Sequence, residues 1–165
     1  MSSETHKRDA PRTVRCYVLT ISDTRTPAND TSGDAIVSLL GEAGHELTGR
    51  QIVKDDPDAV RQVVLSQQAT AEVIITTGGT GITSRDSTYE AIVALLDKRL
   101  DGFGELFRML SYEEIGAAAM MTRACAGTIG RTAIFALPGS EHAVRLGITK
   151  LILPELGHVV RELRR

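Results

Sequence analysis

The stretch of this chain richest in groups that could do chemistry is TTGGTGITSRD, Thr76 to Asp86. Glycines at 78, 79 and 81 permit positive φ and let main-chain N–H groups approach an anion with no side chain in the way. Thr77 and Thr80 add hydroxyl donors, so Thr77, Gly78, Gly79, Thr80 and Gly81 form a candidate phosphate cradle. Two familiar phosphate signatures do not fit it. Gly79-Thr80-Gly81 opens like a dinucleotide fingerprint, but Ser84 stands where the third glycine should be, and no Gly-Lys-Ser/Thr ending marks a P-loop. A double-glycine turn also serves simply to reverse the chain after a strand, and the residues alone leave both readings open.

Carboxylates flank this loop in sequence. Asp86 lies just before an expected helix start, where it could cap the helix or hold Mg²⁺ against nucleotide phosphates. Asp55 presents the same choice, before a helix opened by Pro57. Ser22 and Asp23 end an apolar run, as a turn or as donors and acceptors for a ligand. Pro138-Gly139-Ser140 follows a later run, and Ser140 there could cap a helix whose N-terminus also receives an anion. Glu105, in GFGELFR, reads by itself as a solvated helix position. The four histidines are isolated, and no Ser/His/Asp or Cys/His arrangement stands out.

The elements that must position these residues alternate. Thr13 to Ser22 reads as a strand buried on both faces, followed by a polar loop and a helix carrying Ala35, Ile36, Leu39 and Leu40. Asp30, Thr31 or Ser32 caps that helix and Gly41 and Gly44 close it. A second strand, Glu46 to Val53, leads into a helix through Gln68, and a third, Glu72 to Thr77, runs straight into the glycine loop and a helix from Ser87 to Asp97. Gly102 to Gly127 reads as helical in two pieces with a break near Ser111. Thr132 to Leu137 supplies a later strand, and Pro154 predicts a kink or two consecutive helices at the C-terminal end. This rhythm predicts a three-layer α/β/α sandwich with a mostly parallel sheet. Ligands in such folds bind beyond the carboxyl ends of the strands, so the loops at Ser22, Gly78 and Pro138 are expected to share one rim.

Composition narrows the classes. A chain of 165 residues that is 42% hydrophobic and 24% charged suits one folded domain and not a disordered polymer. Residues 1–12 read as a disordered polar tail and residues 13–165 as a single domain. A formal charge of −2 with scattered basic residues argues against nucleic acid. Apolar runs short of about 18 residues argue against a membrane span. Cys16 and Cys125 lack ligand spacing and read as buried free thiols, so a cytoplasmic location is expected.

Taken together, TISD at Thr20 to Asp23, DTSG at Asp30 to Gly33, TTGGTG at Thr76 to Gly81, Arg85-Asp86, GFGELFRMLSYEEIG at Gly102 to Gly116 and LPGS at Leu137 to Ser140 resemble the MoaB/MogA family of molybdenum-cofactor biosynthesis proteins. FRMLSYEEIG is closer to the MoaB branch. The resemblance implies a homotrimer or homohexamer that binds molybdopterin and, in catalytic relatives, adenylylates it with Mg²⁺ and ATP. It assigns phosphate or nucleotide binding to Gly78 through Gly81, and Mg²⁺ support and catalysis to Asp55 and Asp86, with Glu105 a further catalytic candidate. Asp23, Ser111 and Ser140 fall at the ligand rim, and apolar Ala117 to Met121 suits either an interface between subunits or the core. Three positions depart from the family pattern: Lys54-Asp55 for Pro-Asp, Thr88-Tyr89-Glu90 for Thr-Pro-Glu, and Pro138-Gly139-Ser140-Glu141 for Pro-Gly-Asn-Pro. The alternative function is a non-catalytic molybdopterin carrier.

Overall fold

The computed structural model describes residues 8–165. The first seven positions of the expected tail lie outside the described residues. Of the remainder, Asp9 pairs with Arg161 at 3.7 Å, and the Pro11 carbonyl lies so close to Gly157 that a Cβ there would meet it at 2.7 Å.

Six strands form one sheet: β1 (Arg15–Ile21), β2 (Glu46–Val53), β3 (Val73–Thr77), β4 (Lys98–Arg99), β5 (Cys125–Ile129) and β6 (Thr132–Leu137), in the order β2-β1-β3-β6-β5-β4. The first four in that order are parallel and the last two pairings antiparallel. Between them run α1 (Thr31–Glu42), α2 (Pro57–Gln67), α3 (Thr88–Leu95) and α4 (Asp101–Ile115), and after β6 come α5 (Glu141–Gly147) and α6 (Leu153–Arg164).

Alternation along the central strands explains the layers. Val18 and Ile75 point to one face, where they pack with Ile36, Leu40, Phe103, Phe107, Ile152 and Leu156. Leu19 and Ile74 point to the other and meet Val60, Val64 and Ile92. With helices on both faces, these strands have no wet side, which is why they read as continuous apolar runs. Each fully buried Leu or Ile contributes about 1.5–3 kcal/mol, so this double core dominates stability. The expected three-layer sandwich and mostly parallel sheet are therefore the observed architecture.

The caps follow their chemistry. Asp30 accepts a hydrogen bond from the Gly33 N–H at 3.1 Å to start α1, and Asp56, before Pro57, accepts from Ala59 at 2.9 Å to start α2. A π-helical turn at Ile148–Ile152 joins α5 to α6 directly before Pro154, the interruption that proline's missing N–H anticipates.

One stretch departs from expectation. The helix through Gly102 does not break near Ser111; it continues to Ile115 and ends at Gly116, whose φ is 67°. A 3₁₀ turn, Gly116–Met121, follows, and Cys125 to Gly127 belong to β5 rather than to a helix. Alanine and methionine carry helical propensity, but antiparallel pairing of Cys125 with Ala136 and of Gly127 with Ile134 overrides it. The two-residue β4 was too short to leave a periodic signal.

Candidate functional site

Strand register builds the site. Thr20 is level with Thr77, Thr77 with Leu137, and Ile21 with Val53. Four chain segments therefore leave the sheet along one edge, after Ile21, Val53, Thr77 and Leu137. The chain order reverses between β1 and β3, the place where neighbouring loops part and leave a crevice.

The glycine loop sits on that crevice. Gly78 and Gly79 have φ of 95° and 73°, and a Cβ on Gly78 would lie 2.1 Å from the Ile21 carbonyl oxygen. Only glycine fits there, for conformation and for space. The Gly78 N–H donates to the Leu137 carbonyl at 3.0 Å and Thr77 Oγ1 to the Pro138 carbonyl at 2.9 Å, which lock the loop to the end of β6. Thr80 is buried. The amides of Gly79, Thr80 and Gly81 donate to no other group among the described residues, so they retain capacity for an anion.

The Pro138-Gly139-Ser140 segment closes one side. Gly139 lies against Gly78, its carbonyl accepts from Ser32 Oγ at 2.6 Å, and Ser140 caps α5 by accepting from the Ala143 N–H at 3.2 Å. On the other side Ser22 Oγ accepts from the Thr24 and Arg25 amides at 3.2 and 3.0 Å, so this hydroxyl shapes a turn. Asp23 accepts from the Asp55 N–H at 3.1 Å and stands 3.7 Å from Arg85. Asp55 in turn accepts through Oδ1 from the hydroxyl of Thr88, in the first turn of α3.

Neither Asp55 nor Asp86 caps a helix. Asp56 takes the cap of α2, and Ser87, which makes no side-chain cap bond, takes that of α3. Asp86 folds back on its own loop, accepting through Oδ2 from the N–H and the hydroxyl of Thr83, both at 2.7 Å. Those bonds, with nearby Arg123 and Arg85, hold its carboxyl below the usual range and keep it ionised. One oxygen of each remains unbonded among the described residues, Oδ2 of Asp55 and Oδ1 of Asp86. No group of three or more His, Cys, Asp or Glu side chains suited to a metal occurs among the described residues.

Two predicted residues stand apart from these loops. Ser111 is buried within α4 and Glu105 is exposed on it. The contact of Glu114 with His142 joins the end of α4 to the start of α5. Ser111 is one turn from that junction, whereas Glu105 lies nine residues back, roughly 13 Å along the axis at 1.5 Å per residue. Glu105 makes no hydrogen bond or ion pair with these loops among the described residues, although the adjoining Gly104 packs against Ala124, next to Arg123.

Sequence reading passed over three basic residues that the fold gathers. A groove of about 550 Å³ beside Ser22 and Asp23 is lined by Arg25, Arg50 and Lys54, and joins a smaller crevice of about 90 Å³ lined by Thr20, Ser22, Asp30, Ser32, Thr77 and Gly139. Arg50 is neutralised by Asp30 and Asp34 at 2.8 and 2.7 Å. Arg25 donates to the Asn29 carbonyl at 2.7 Å, and the Lys54 side chain has no partner among the described residues. Arg50 and Lys54 sit on an edge strand and the residue after it, where cations are common as solubilising groups, so no local signal marked them.

Neither thiol has a place in this site. Burial pushes Cys16 up to about 12 and Cys125 up to about 11, and both are free, so they are poor nucleophiles. Cys125 is only partly buried.

The doubly covered α/β sheet thus carries at its switch point a glycine loop with free main-chain amides, beside a groove lined by Asp23, Arg25, Arg50 and Lys54. Residues 17–158 match the family described as "Probable molybdopterin binding domain". Molybdenum cofactor biosynthesis protein B of Bacillus cereus is 56% identical over 168 aligned positions, covering 100% of this chain and 99% of the relative. A crystal structure of a protein of the same name superposes with a TM-score of 0.92 at 56% identity, covering 95% and 99% of the two chains. The tungsten cofactor synthesizing protein MoaB of Pyrococcus furiosus superposes with a TM-score of 0.85 at 42% identity, covering 94% and 100%. The chain belongs to the MoaB family of molybdenum-cofactor biosynthesis proteins, which carry the molybdopterin-binding domain.

Proposed function

We propose that this protein binds molybdopterin at the crevice between β1 and β3 and adenylylates it with Mg²⁺ and ATP. The observation that carries the reading is the alignment of strand ends that sets Gly78, at the entrance of the glycine loop, against Gly139, beside the groove of Arg25, Arg50 and Lys54. Free amides of the loop take one phosphate, and Arg25 and Lys54 of the groove take further negative charge. In the reaction an oxygen of the molybdopterin phosphate forms a bond to the α-phosphorus of ATP, the bond to the bridging oxygen breaks, and pyrophosphate leaves. The chain's part is positioning and charge neutralisation, with no covalent role for its own side chains.

The donor set suits Mg²⁺ carried by a nucleotide. That ion takes one or two carboxylates and fills the remaining positions with phosphate oxygens and water, and Asp55 and Asp86 each keep one unbonded oxygen. When bound, Mg²⁺ neutralises charge on the phosphates being separated. Asp55 is held through Oδ1 by Thr88 and through its amide by Asp23, and Asp86 through Oδ2 by two bonds from Thr83. Glu105 is exposed and makes no bond to the loops of its own chain among the described residues, which leaves it available to a reaction centre shared with another subunit. That fits a homotrimer or homohexamer, as does the apolar face of Leu106, Met109, Tyr112, Ile115, Met120 and Met121 exposed on α4 and the turn after it.

A carrier that binds the pterin without turnover is the second reading. It draws on Asp86, whose Oδ2 is already occupied by Thr83. Pyrophosphate release from Mg·ATP, measured with and without molybdopterin in the wild type and in Asp86→Asn, separates them. Release that needs both pterin and the carboxylate supports adenylyl transfer. Saturable pterin binding with no release supports the carrier.

A further inference from the structure

Arg123 lies in the short extended segment between the 3₁₀ turn and β5, outside every loop that lines the crevice. Its guanidinium nevertheless makes three contacts on the far side of the glycine loop. It donates to the Gly81 carbonyl, pairs with Glu90 of α3, and its central carbon stands 4.5 Å from the centroid of the Tyr89 ring. The side chain is only 25% exposed, and its Nε is buried without a partner. The guanidinium is thus partly shielded and presents its fork to three groups at once, a geometry more restrictive than that of a single surface pair.

We infer that Arg123 is the positioning residue of the glycine loop, fixing the Gly81–Ile82 peptide and the first turn of α3 in one relation to each other. The inference rests on the reading that this loop receives a phosphate. The peptide group is planar and trans, so a carbonyl held toward the guanidinium directs the Ile82 N–H the opposite way. Gly78 and Gly79 have little steric constraint of their own, and the loop is anchored at its entrance by Leu137 and Pro138 alone. Arg123 supplies the anchor at its exit. The second half of the device runs through α3. Tyr89 and Glu90 follow Thr88 directly, and Thr88 donates to Asp55, so the guanidinium that sets the loop also sets the helix turn that holds this carboxylate. The Tyr89 ring supplies the surface on which the cation stacks. Lysine cannot reproduce the arrangement, because a single ammonium does not present the planar fork that serves a carbonyl, a carboxylate and an aromatic face together.

The test compares the full-length wild type with Arg123→Gln, Arg123→Lys and Tyr89→Phe, by amide hydrogen exchange along the chain without ligand and by fluorescence titration with molybdopterin. Exchange over residues 78–90, read at the hydrogen-bonded amides of Gly78, Thr83 and Asp86, should rise about tenfold in both Arg123 variants while the central strands keep their protection. Their dissociation constants for molybdopterin should rise by about the same factor, since a looser loop lowers the competent fraction. Tyr89→Phe, which keeps the ring, should match the wild type in both. Unchanged exchange over 78–90 in Arg123→Gln, a rise spread evenly over the whole chain, or full recovery by lysine would each overturn the positioning role. The exchange comparison needs no ligand and decides that role by itself; a wild type that fails to bind molybdopterin would instead overturn the functional reading.

Discussion

At the scale of single residues, Asp30 shows how much one buried carboxylate can organise. It is fully buried, caps α1, accepts from Thr20 Oγ1 at 2.8 Å and pairs with Arg50 at 2.8 Å. Burial raises its carboxyl, but the bonds from Arg50, Thr20 and Gly33 outweigh that and hold it below the usual range. Asp30→Asn keeps the shape and removes the charge, and should cost about 2 kcal/mol at neutral pH. Because the folded value is depressed, this contribution is present above the unfolded carboxylate value of about 4 and fades as pH falls through the folded one. Urea midpoints of the two proteins should therefore differ at pH 7 and draw together in acid. A constant difference across that range would show that the lost contribution was not the charge.

Among elements, the ends of the strands opposite the site are tied by Glu72. This residue, just before β3, accepts from the Arg15 amide of β1 at 3.1 Å and from Arg164 Nε at the end of α6 at 3.0 Å. Burial pushes its carboxyl up, while Arg164 and Arg15 bring it down past its ordinary value. Three elements distant in sequence thus share one carboxylate. Glu72→Gln should lower stability by about 2 kcal/mol, with faster amide exchange over residues 153–164 as the first sign, because α6 loses its terminal anchor. If exchange in α6 stayed at the wild-type rate, the apolar contacts of Leu156 and Val160 alone would be holding the helix. The same scale explains why Cys125 to Gly127 form a strand where the sequence predicts the end of a helix. A strand of Cys125, Ala126 and Gly127 has no intrinsic preference for extension, and its state is set by partners on β4 and β6.

For the whole molecule, the exposed apolar residues of α4 are the main unfinished surface. Leu106, Met109, Tyr112 and Ile115 follow one i+3 ridge, and Leu106 borders an apolar groove with Phe103, Phe135 and Leu151. Sedimentation equilibrium should give the wild type a mass of three or six chains, and the double variant Leu106→Glu, Met109→Glu a single chain with its circular dichroism intact. A wild type that sediments as one chain at all concentrations would remove that role from the face. The sequence by itself determined the layered α/β class, because strands buried on both faces must be continuously apolar and the helices between them must carry a 3.6-residue stripe. It also marked Gly78, Gly79, Asp55 and Ser140 as candidates, since positive φ, carboxylate chemistry and capping are properties of the residue type. Only the tertiary structure decided that Arg25, Arg50 and Lys54 face one groove, that Asp86 turns back onto Thr83, and that Arg123 grips the glycine loop from behind. Those relations join positions up to 42 residues apart, and strand register, which is settled by the packing of the sheet as a whole, is what brings them within reach.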